Sequence, residues 1–244
     1  MNRLVESVKT AFSPSYRSTT LRGIAIGLGC LIVFEYFSLP SVSIEKLRRE
    51  NAGTTALMEQ RADEAEGRGK PFRIVQRWVP ISRISRDLVN AVVVAEDGTF
   101  YSHGGFDWYE LQESLERNLD EGRPVRGAST ITQQLAKNLF LSTMKSPIRK
   151  LKEAVITLRL EGQLSKMRIL EIYLNCIEWG DGIFGIEAAA QKYFGVSAGS
   201  LSREQAARLA AVIPSPLKHA PNVDSRYVLR RSATVLRRME ARGW

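Results

Sequence analysis

Along most of the chain after residue 85, apolar residues recur at helical spacing and polar capping residues punctuate them. In "SRDLVNAVVVAED", Leu88, Val89, Val92 and Val93 share one face behind a candidate N-cap at Ser85, which predicts a helix whose last turn carries Glu96 and Asp97. Asp107 with Glu110 has capping-box spacing before "WYELQESLERNL", which stops near Gly122, and Thr130 with Gln133 repeats it before "ITQQLAKNLF". Ser146 and Pro147 open "IRKLKEAVITLRLE", and Ser165 opens "KMRILEIYLNCIEW". Gly195 closes "IEAAAQKYF", Ser202 with Gln205 opens "REQAARLAAVI" as far as Pro214, and a basic helix runs from Ser225 to Arg242. Ahead of these, "FRIVQRWVPIS" alternates enough for a short extended lead-in, with Trp78 and Val79 free to dock on the body. The pattern predicts an all-α body with short connections.

The amino-terminal part reads differently. Residues 21–39, "LRGIAIGLGCLIVFEYFSL", are the candidate membrane segment, behind Arg3, Lys9, Arg17 and Arg22 and a single acid, Glu6. That balance predicts a cytoplasmic N-terminus with the remainder exported. The uninterrupted apolar run from Gly23 to Phe34 is shorter than the ~20 residues a spanning helix wants. No Ala-x-Ala site follows it, so the reading is an uncleaved anchor, with a cleaved signal as the alternative. The expected organisation is a short basic cytoplasmic tail (1–20), a transmembrane anchor (21–39), a polar juxtamembrane stalk or loosely packed arm (40–70), and a catalytic domain (71–244).

At 244 residues and 44% hydrophobic, the chain can bury one good core and hardly two independent domains. The formal charge of +9 favours an anionic partner: nucleic acid, anionic lipid or a phosphorylated substrate. Export argues against nucleic acid. Cys30 lies in the apolar run and Cys176 in a helical pattern far from it, so both are expected buried and inert. The only histidines, His103 and His219, do not supply a usual zinc ligand set.

Chemistry is suggested where local rules are broken. Glu96 and Asp97 sit at a helix C-terminus, where the partial negative charge disfavours carboxylates and would push a carboxyl pKa up, toward that of a base useful at neutral pH. Arg149, Lys150 and Lys152 crowd the first turns of the helix after Pro147, where cations are disfavoured, and Arg149 precedes Glu153 in the weaker ion-pair orientation. Such conflicts are expected where a sequence serves something other than helix stability. In "TITQQLAKNLF", Ile131, Leu135 and Leu139 point inward, leaving Gln133 and Lys137 on another face with Ser129 at the helix mouth. A solvated basic face and simple capping are the plain alternatives. Two acids, Glu96 and Glu153, raise glycosyl chemistry. A sugar diphosphate leaves as an anion and needs positive charge more than a proton, so one carboxylate base beside several cations favours transfer over hydrolysis.

These residues resemble a known family, the peptidoglycan glycosyltransferases of lysozyme-like fold, found alone as monofunctional transglycosylases or fused to penicillin-binding transpeptidases. "EDGTFYSHGGFD" is similar to its E-D-x-x-F-x-x-H-x-G motif, "GASTITQQLAKN" to G-x-S-T-x-x-Q-Q, and "RKLKE" to R-K-x-x-E. "KMRILEIYLN" with "GDGIFGIEAAAQKYFG" resembles its fourth block. "QAARLAAVIPSP" resembles the fifth, where Arg208 occupies a position expected to be apolar. Five ordered blocks across residues 96–216 make the resemblance specific, and no serine-nucleophile S-x-x-K region follows, as in the monofunctional type.

The resemblance implies a two-lobed helical glycosyltransferase behind a single-pass anchor in the bacterial inner membrane, polymerising lipid II into β-1,4 glycan with inversion and release of undecaprenyl diphosphate. It implies Glu96 as general base, and Glu153 at the donor side, positioning the diphosphate or a divalent cation (Mg²⁺ or Mn²⁺, not obligatory). Lys137, Lys145, Arg149 and Lys152 would offset the diphosphate charge, with Ser129, Gln133 and Gln134 lining the donor site. Asp97 and His103 join the substrate-binding set chiefly by orienting the motif. The implied partners are lipid II, the growing lipid-linked glycan, membrane lipids and other cell-wall synthesis or division proteins. The final helix, with Arg226, Arg230, Arg231, Arg237, Arg238 and Arg242, is expected to meet anionic headgroups or substrate phosphates. A lytic muramidase and a non-catalytic lipid II scaffold are the competing readings.

Overall fold

The computed structural model describes residues 22, 23, 26, 27, 29, 30, 34, 41–120, 129–141, 143 and 146–244. It divides into two compact units, Met1–Ser41 and Val42–Trp244. The tail at 1–20 and most of the anchor at 21–39 lie outside the described residues, as does Lys145. Among the described residues no helix is long and apolar enough to cross a membrane. Cys30, expected buried, is exposed; Cys176 is buried, and burial pushes its thiol up to about 12.

Among the described residues the chain from Ser41 onward is predominantly helical. Its helices are α1 (Ser41–Lys46), α2 (Ala56–Glu66), α3 (Arg86–Glu96), α4 (Trp108–Asp120), α5 (Ile131–Phe140), α6 (Pro147–Gln163), α7 (Lys166–Cys176), α8 (Ile186–Phe194), α9 (Arg203–Val212) and α10 (Arg226–Glu240). The expected caps recur: Thr130 with Gln133 and Ser202 with Gln205 form capping boxes, Ser165 and Ser225 accept backbone N–H groups, and Gly195 ends α8 in the left-handed conformation. Ser85 precedes α3 but spends its hydroxyl on the Leu201 carbonyl.

The predominantly helical body agrees with the all-α expectation, to which the structure adds a small sheet of order β1-β3-β2, made from β1 (Val75–Gln76), β2 (Glu178–Gly180) and β3 (Ile183–Phe184). β1 falls inside the alternating lead-in and runs parallel to β3, and β2 is antiparallel to it. The helix expected through Trp179 stops at Cys176 because the chain must turn back at Asp181–Gly182; Gly182 has φ +69° and a Cβ there would lie 2.4 Å from the Arg73 carbonyl oxygen. The buried Asn175 then ties the lead-in to α7, accepting the Val79 N–H at 2.9 Å and donating to the Val79 carbonyl at 2.9 Å.

The polar stretch expected as a stalk belongs largely to the compact unit. Ile44, Leu47, Leu57 and Met58 are buried, and Leu57 and Met58 cluster with Phe184. Arg168 of α7 donates to the carbonyls of Leu47 and Glu50, which fixes this arm to the body. The composition is polar because one face of α2 meets water while the other is covered.

Helix α7 is the centre of the core: Ile169, Leu170, Ile172, Tyr173, Leu174 and Cys176 are all fully buried. Helix α5 packs on α6, α7 and α2, whereas α3 packs on α9 and α10. The chemically suspect residues collect where these two groups of helices meet.

Candidate active site

Glu96 is the last residue of α3. Its Oε2 accepts a hydrogen bond from Gln134 Nε2 at 2.9 Å, and Gln134 Oε1 accepts one from the Tyr173 hydroxyl at 2.9 Å. Burial raises the Glu96 carboxyl above the ordinary carboxylate range, and the neighbouring Asp97 charge adds to this; the Gln134 hydrogen bond and the charges of Arg231 and Lys137 pull the other way. The raised pKa expected from the helix end is present, with burial as its largest cause.

Asp97 is buried and works as a joint. Its Oδ1 accepts the Nε2–H of His103 at 2.9 Å, and its Oδ2 accepts the backbone N–H of Ile131 at 3.0 Å. That N–H is one of the orphan donors at the start of α5, so Asp97 binds the end of α3 to the beginning of α5. His103 Nδ1 accepts the Gly105 N–H at 3.1 Å, which fixes the ring as its Nε2–H tautomer. Asp97 and His103 thus spend these groups on each other and on backbone. Gly105 has φ +97°, and a Cβ there would lie 2.7 Å from Thr157 Cγ2, so only glycine lets this loop settle onto α6.

Gln133 and Gln134 divide their labour differently from the sequence expectation. Gln133 is buried and its Oε1 accepts the Thr130 N–H at 3.0 Å, completing the capping box. Gln134 shares the partly open face with Lys137, three residues on, and meets Glu96.

On α6, the buried Glu153 is flanked by two cations. Arg149 Nη1 lies 2.6 Å from Oε2, and Lys150 Nζ pairs with Oε1. Lys150, which the site expectation omitted, holds Glu153; Lys152 sits one residue before Glu153 on α6 and is partly exposed. Arg149 Nε is buried without a hydrogen-bond partner. Burial lowers the Lys137 pKa; the charges of Glu153 and Glu96 oppose this, while those of Arg149 and Lys150 add to it. Lys137 is therefore coupled to both acids at once. Both Glu153 oxygens are already occupied by cations, and among the described residues no three metal-ligating side chains gather, so these residues as arranged do not form a resident cation site.

A cavity of about 450 Å³ is lined by Glu96, Glu110, Ser129, Arg238 and Arg242 among others. Its lining includes none of the α6 cations. Arg242 Nη1 donates to the Gly98 carbonyl at 2.6 Å, and Arg238 Nη1 lies 3.5 Å from the Val94 carbonyl oxygen. Part of the basic final helix thus faces the negative end of α3. Arg208, out of place in the fifth block, donates to the Pro221 carbonyl at 2.7 Å and pairs with Asp224, fastening the loop before α10.

The structure thus gathers Glu96, Gln134 and Lys137 with the pair of Arg149 and Glu153, and sets Ser129 in the cavity wall. Lys150 was legible as an i, i+3 partner of Glu153; Tyr173, Arg231, Arg238 and Arg242 come from helices whose approach no local pattern reveals. Residues 68–240 match the family model described as transglycosylase. The biosynthetic peptidoglycan transglycosylase of Nitrosospira multiformis is 49% identical over 189 residues, covering 78% of this chain and 82% of the relative. That of Laribacter hongkongensis is 43% identical over 219 residues, covering 90% and 95%, and that of Aromatoleum aromaticum 52% identical over 169 residues, covering 69% and 74%. A carboxyl with a raised pKa beside a cationic cluster accords with this similarity over most of the chain: the chain belongs to the transglycosylase family and is a peptidoglycan glycosyltransferase.

Proposed function

We propose that the enzyme polymerises lipid II into linear β-1,4 glycan with Glu96 as general base. The Oε1 of Glu96, the oxygen that Gln134 does not take, accepts the proton from the 4-hydroxyl of the acceptor's N-acetylglucosamine. The acceptor oxygen then attacks the anomeric carbon of the donor, the bond to the diphosphate breaks, and undecaprenyl diphosphate leaves with inversion. Lys137, Arg149 and Lys150 offset the charge on the leaving group, with Lys152 and Lys145 assigned to the same set. Glu153 holds Arg149 and Lys150 in place for it. A Mg²⁺ or Mn²⁺ ion would need diphosphate oxygens for most of its ligands and would arrive with the substrate.

The observation that carries this reading is the pairing of a base whose pKa is raised by burial with a cationic cluster in which Arg149 Nε is buried and unpartnered. An anionic oxygen satisfies such a donor; leaving it unmet costs about 1–3 kcal/mol. A muramidase needs a proton acid for its sugar leaving group and has no use for these cations. The lysozyme-like two-lobed architecture is assigned with the family, the two helix groups being its lobes. The anchor over 21–39 would confine the extracytoplasmic catalytic unit to the surface that carries lipid II. On α10 the exposed Arg226, Arg230 and Arg237 are the face we assign to anionic headgroups, where each cation near the surface contributes ~1 kcal/mol.

The test is polymerisation of labelled lipid II by the full-length protein in detergent, beside Glu96→Gln. Long glycan from the wild type and none from the variant is expected. Lipid II binding without polymer under varied detergent and metal would overturn the assignment in favour of a scaffold; soluble fragments from purified cell wall would favour a muramidase.

A further inference from the structure

We propose that Tyr173 is a positioning residue for the base, acting through Gln134: its hydroxyl anchors the Gln134 amide oxygen and so holds the amide NH₂ against Glu96. The inference rests on Glu96 being the base. A glutamine amide offers an oxygen at one end and an NH₂ at the other, and an ionised carboxylate can only accept, so the NH₂ end is the one that bonds Glu96 and the oxygen needs a donor of its own. That donor comes from behind. Gln134 Oε1 can only accept, so the Tyr173 hydroxyl, 2.9 Å away, must donate to it. The NH₂ is then left for Glu96 Oε2, also at 2.9 Å.

Tyr173 suits this task because it cannot move or ionise easily. It is fully buried on α7, at the centre of the core, and α7 packs directly on α5, which carries Gln134. Burial holds its phenol well above the ordinary tyrosine range, with the charges of Glu96 and Asp97 adding to it, so it remains a donor throughout the working range.

Two consequences follow for the reaction. With Oε2 occupied by an N–H donor, the proton taken from the acceptor goes to Oε1. The same donor favours the carboxylate over the acid, opposing the effect of burial. A flipped amide would put oxygen against oxygen and favour protonated Glu96, which is no base. The other charged groups facing Glu96 are Asp97, Lys137 of α5 and Arg231 of α10, with Arg238, Arg242, Asp107 and Glu110 around the cavity. Of the groups around Glu96, Gln134 donates to its carboxylate and is itself set by a second side chain.

The experiment compares wild type, Tyr173→Phe, Gln134→Met and the double variant as full-length proteins in detergent. Two readings are taken: the pH profile of kcat for lipid II polymerisation, and the titration of the ¹³C-labelled Glu96 carboxyl, assigned with Glu96→Gln. Tyr173→Phe should move the acid limb and the carboxyl midpoint upward by about one pH unit, lower kcat near neutrality up to ~10-fold, and leave KM for lipid II unchanged. Gln134→Met should give the same displacement, and the double variant no more than Gln134→Met alone. An unmoved midpoint in Tyr173→Phe, or additive displacements, would overturn the proposal. Should Tyr173→Phe not fold, an unmoved midpoint in Gln134→Met overturns it. If the wild type makes no glycan, the base assignment fails, while the carboxyl titration still reads the coupling by itself.

Discussion

Replacing Asp97 by asparagine tests the joint that brings the helix ending in Glu96 to the helix carrying Gln134 and Lys137. The buried carboxylate accepts two hydrogen bonds, from His103 Nε2 at 2.9 Å and from the Ile131 backbone N–H at 3.0 Å. Asparagine has one acceptor oxygen, so its NH₂ must face one of these donors. His103 cannot accommodate this by changing tautomer, because Nδ1 already accepts the Gly105 N–H. One charge-assisted bond is lost, ~1.5–3 kcal/mol, one donor is stranded at ~1–3 kcal/mol, and these overlap, giving about 3 kcal/mol in all. For a chain of this size ~2–4 °C of Tm accompanies each kcal/mol, so thermal unfolding in detergent should begin about 6–12 °C lower. Glu96→Gln is the control. The Glu96 carboxyl is raised in the folded state, so its contribution to stability is present below the unfolded pKa and lost as pH rises through the folded one. At neutral pH the ionised group is therefore a net cost, and Glu96→Gln should melt at or above the wild type while losing polymerisation. An Asp97→Asn protein that melts within about 2 °C of wild type would refute the joint, because a structural acid with two buried donors cannot be removed at so little cost.

Glu153→Gln leaves Arg149 and Lys150 facing each other without their counter-ion; breaking a fully buried pair costs ~3–5 kcal/mol, and since Lys150 is half in water about 2 kcal/mol is expected by urea unfolding. Gly105→Ala adds a methyl 2.7 Å from Thr157 Cγ2 at a φ of +97° and should destabilise by ~1–3 kcal/mol, with Thr157→Ser in the same chain recovering part of the loss in the same unfolding assay. The rate of polymerisation should rise with pH through the raised Glu96 pKa and fall as Lys137, lowered by burial, loses its charge; Lys137→Arg should carry the alkaline limb to higher pH in a rate profile at saturating lipid II.

Local rules made the helices legible and left their contacts hidden. The caps at Thr130, Ser165, Ser202 and Ser225 and the apolar stripe of α3 need only neighbours within one turn, and each stands where its spacing predicts. The sheet was not legible because two- and three-residue strands carry too little alternation to separate from a helix end. Gln133 and Gln134 could not be told apart by periodicity, since capping draws one side chain back to the helix start while the next is free to turn to Glu96.

The conflict at Glu96 and Asp97 shows most directly how far such reading extends. Two acids at a helix C-terminus violate the dipole rule, and the structure sets both at the end of α3 in the wall of the cavity. Resolution of the conflict lies far along the chain, in α10 and just past its end, where Arg242 donates to the Gly98 carbonyl, Arg238 approaches the Val94 carbonyl and the Arg231 charge draws the Glu96 pKa back down. These cations restore what the helix end alone lacks, without pairing closely enough with Glu96 to abolish its raised pKa. A base at this position needs that intermediate setting: fully compensated it would be too weak to take a proton, and uncompensated it would remain protonated. Neither half of the arrangement is informative alone, since α10 by itself reads as a solvated basic helix and α3 by itself as a strained end.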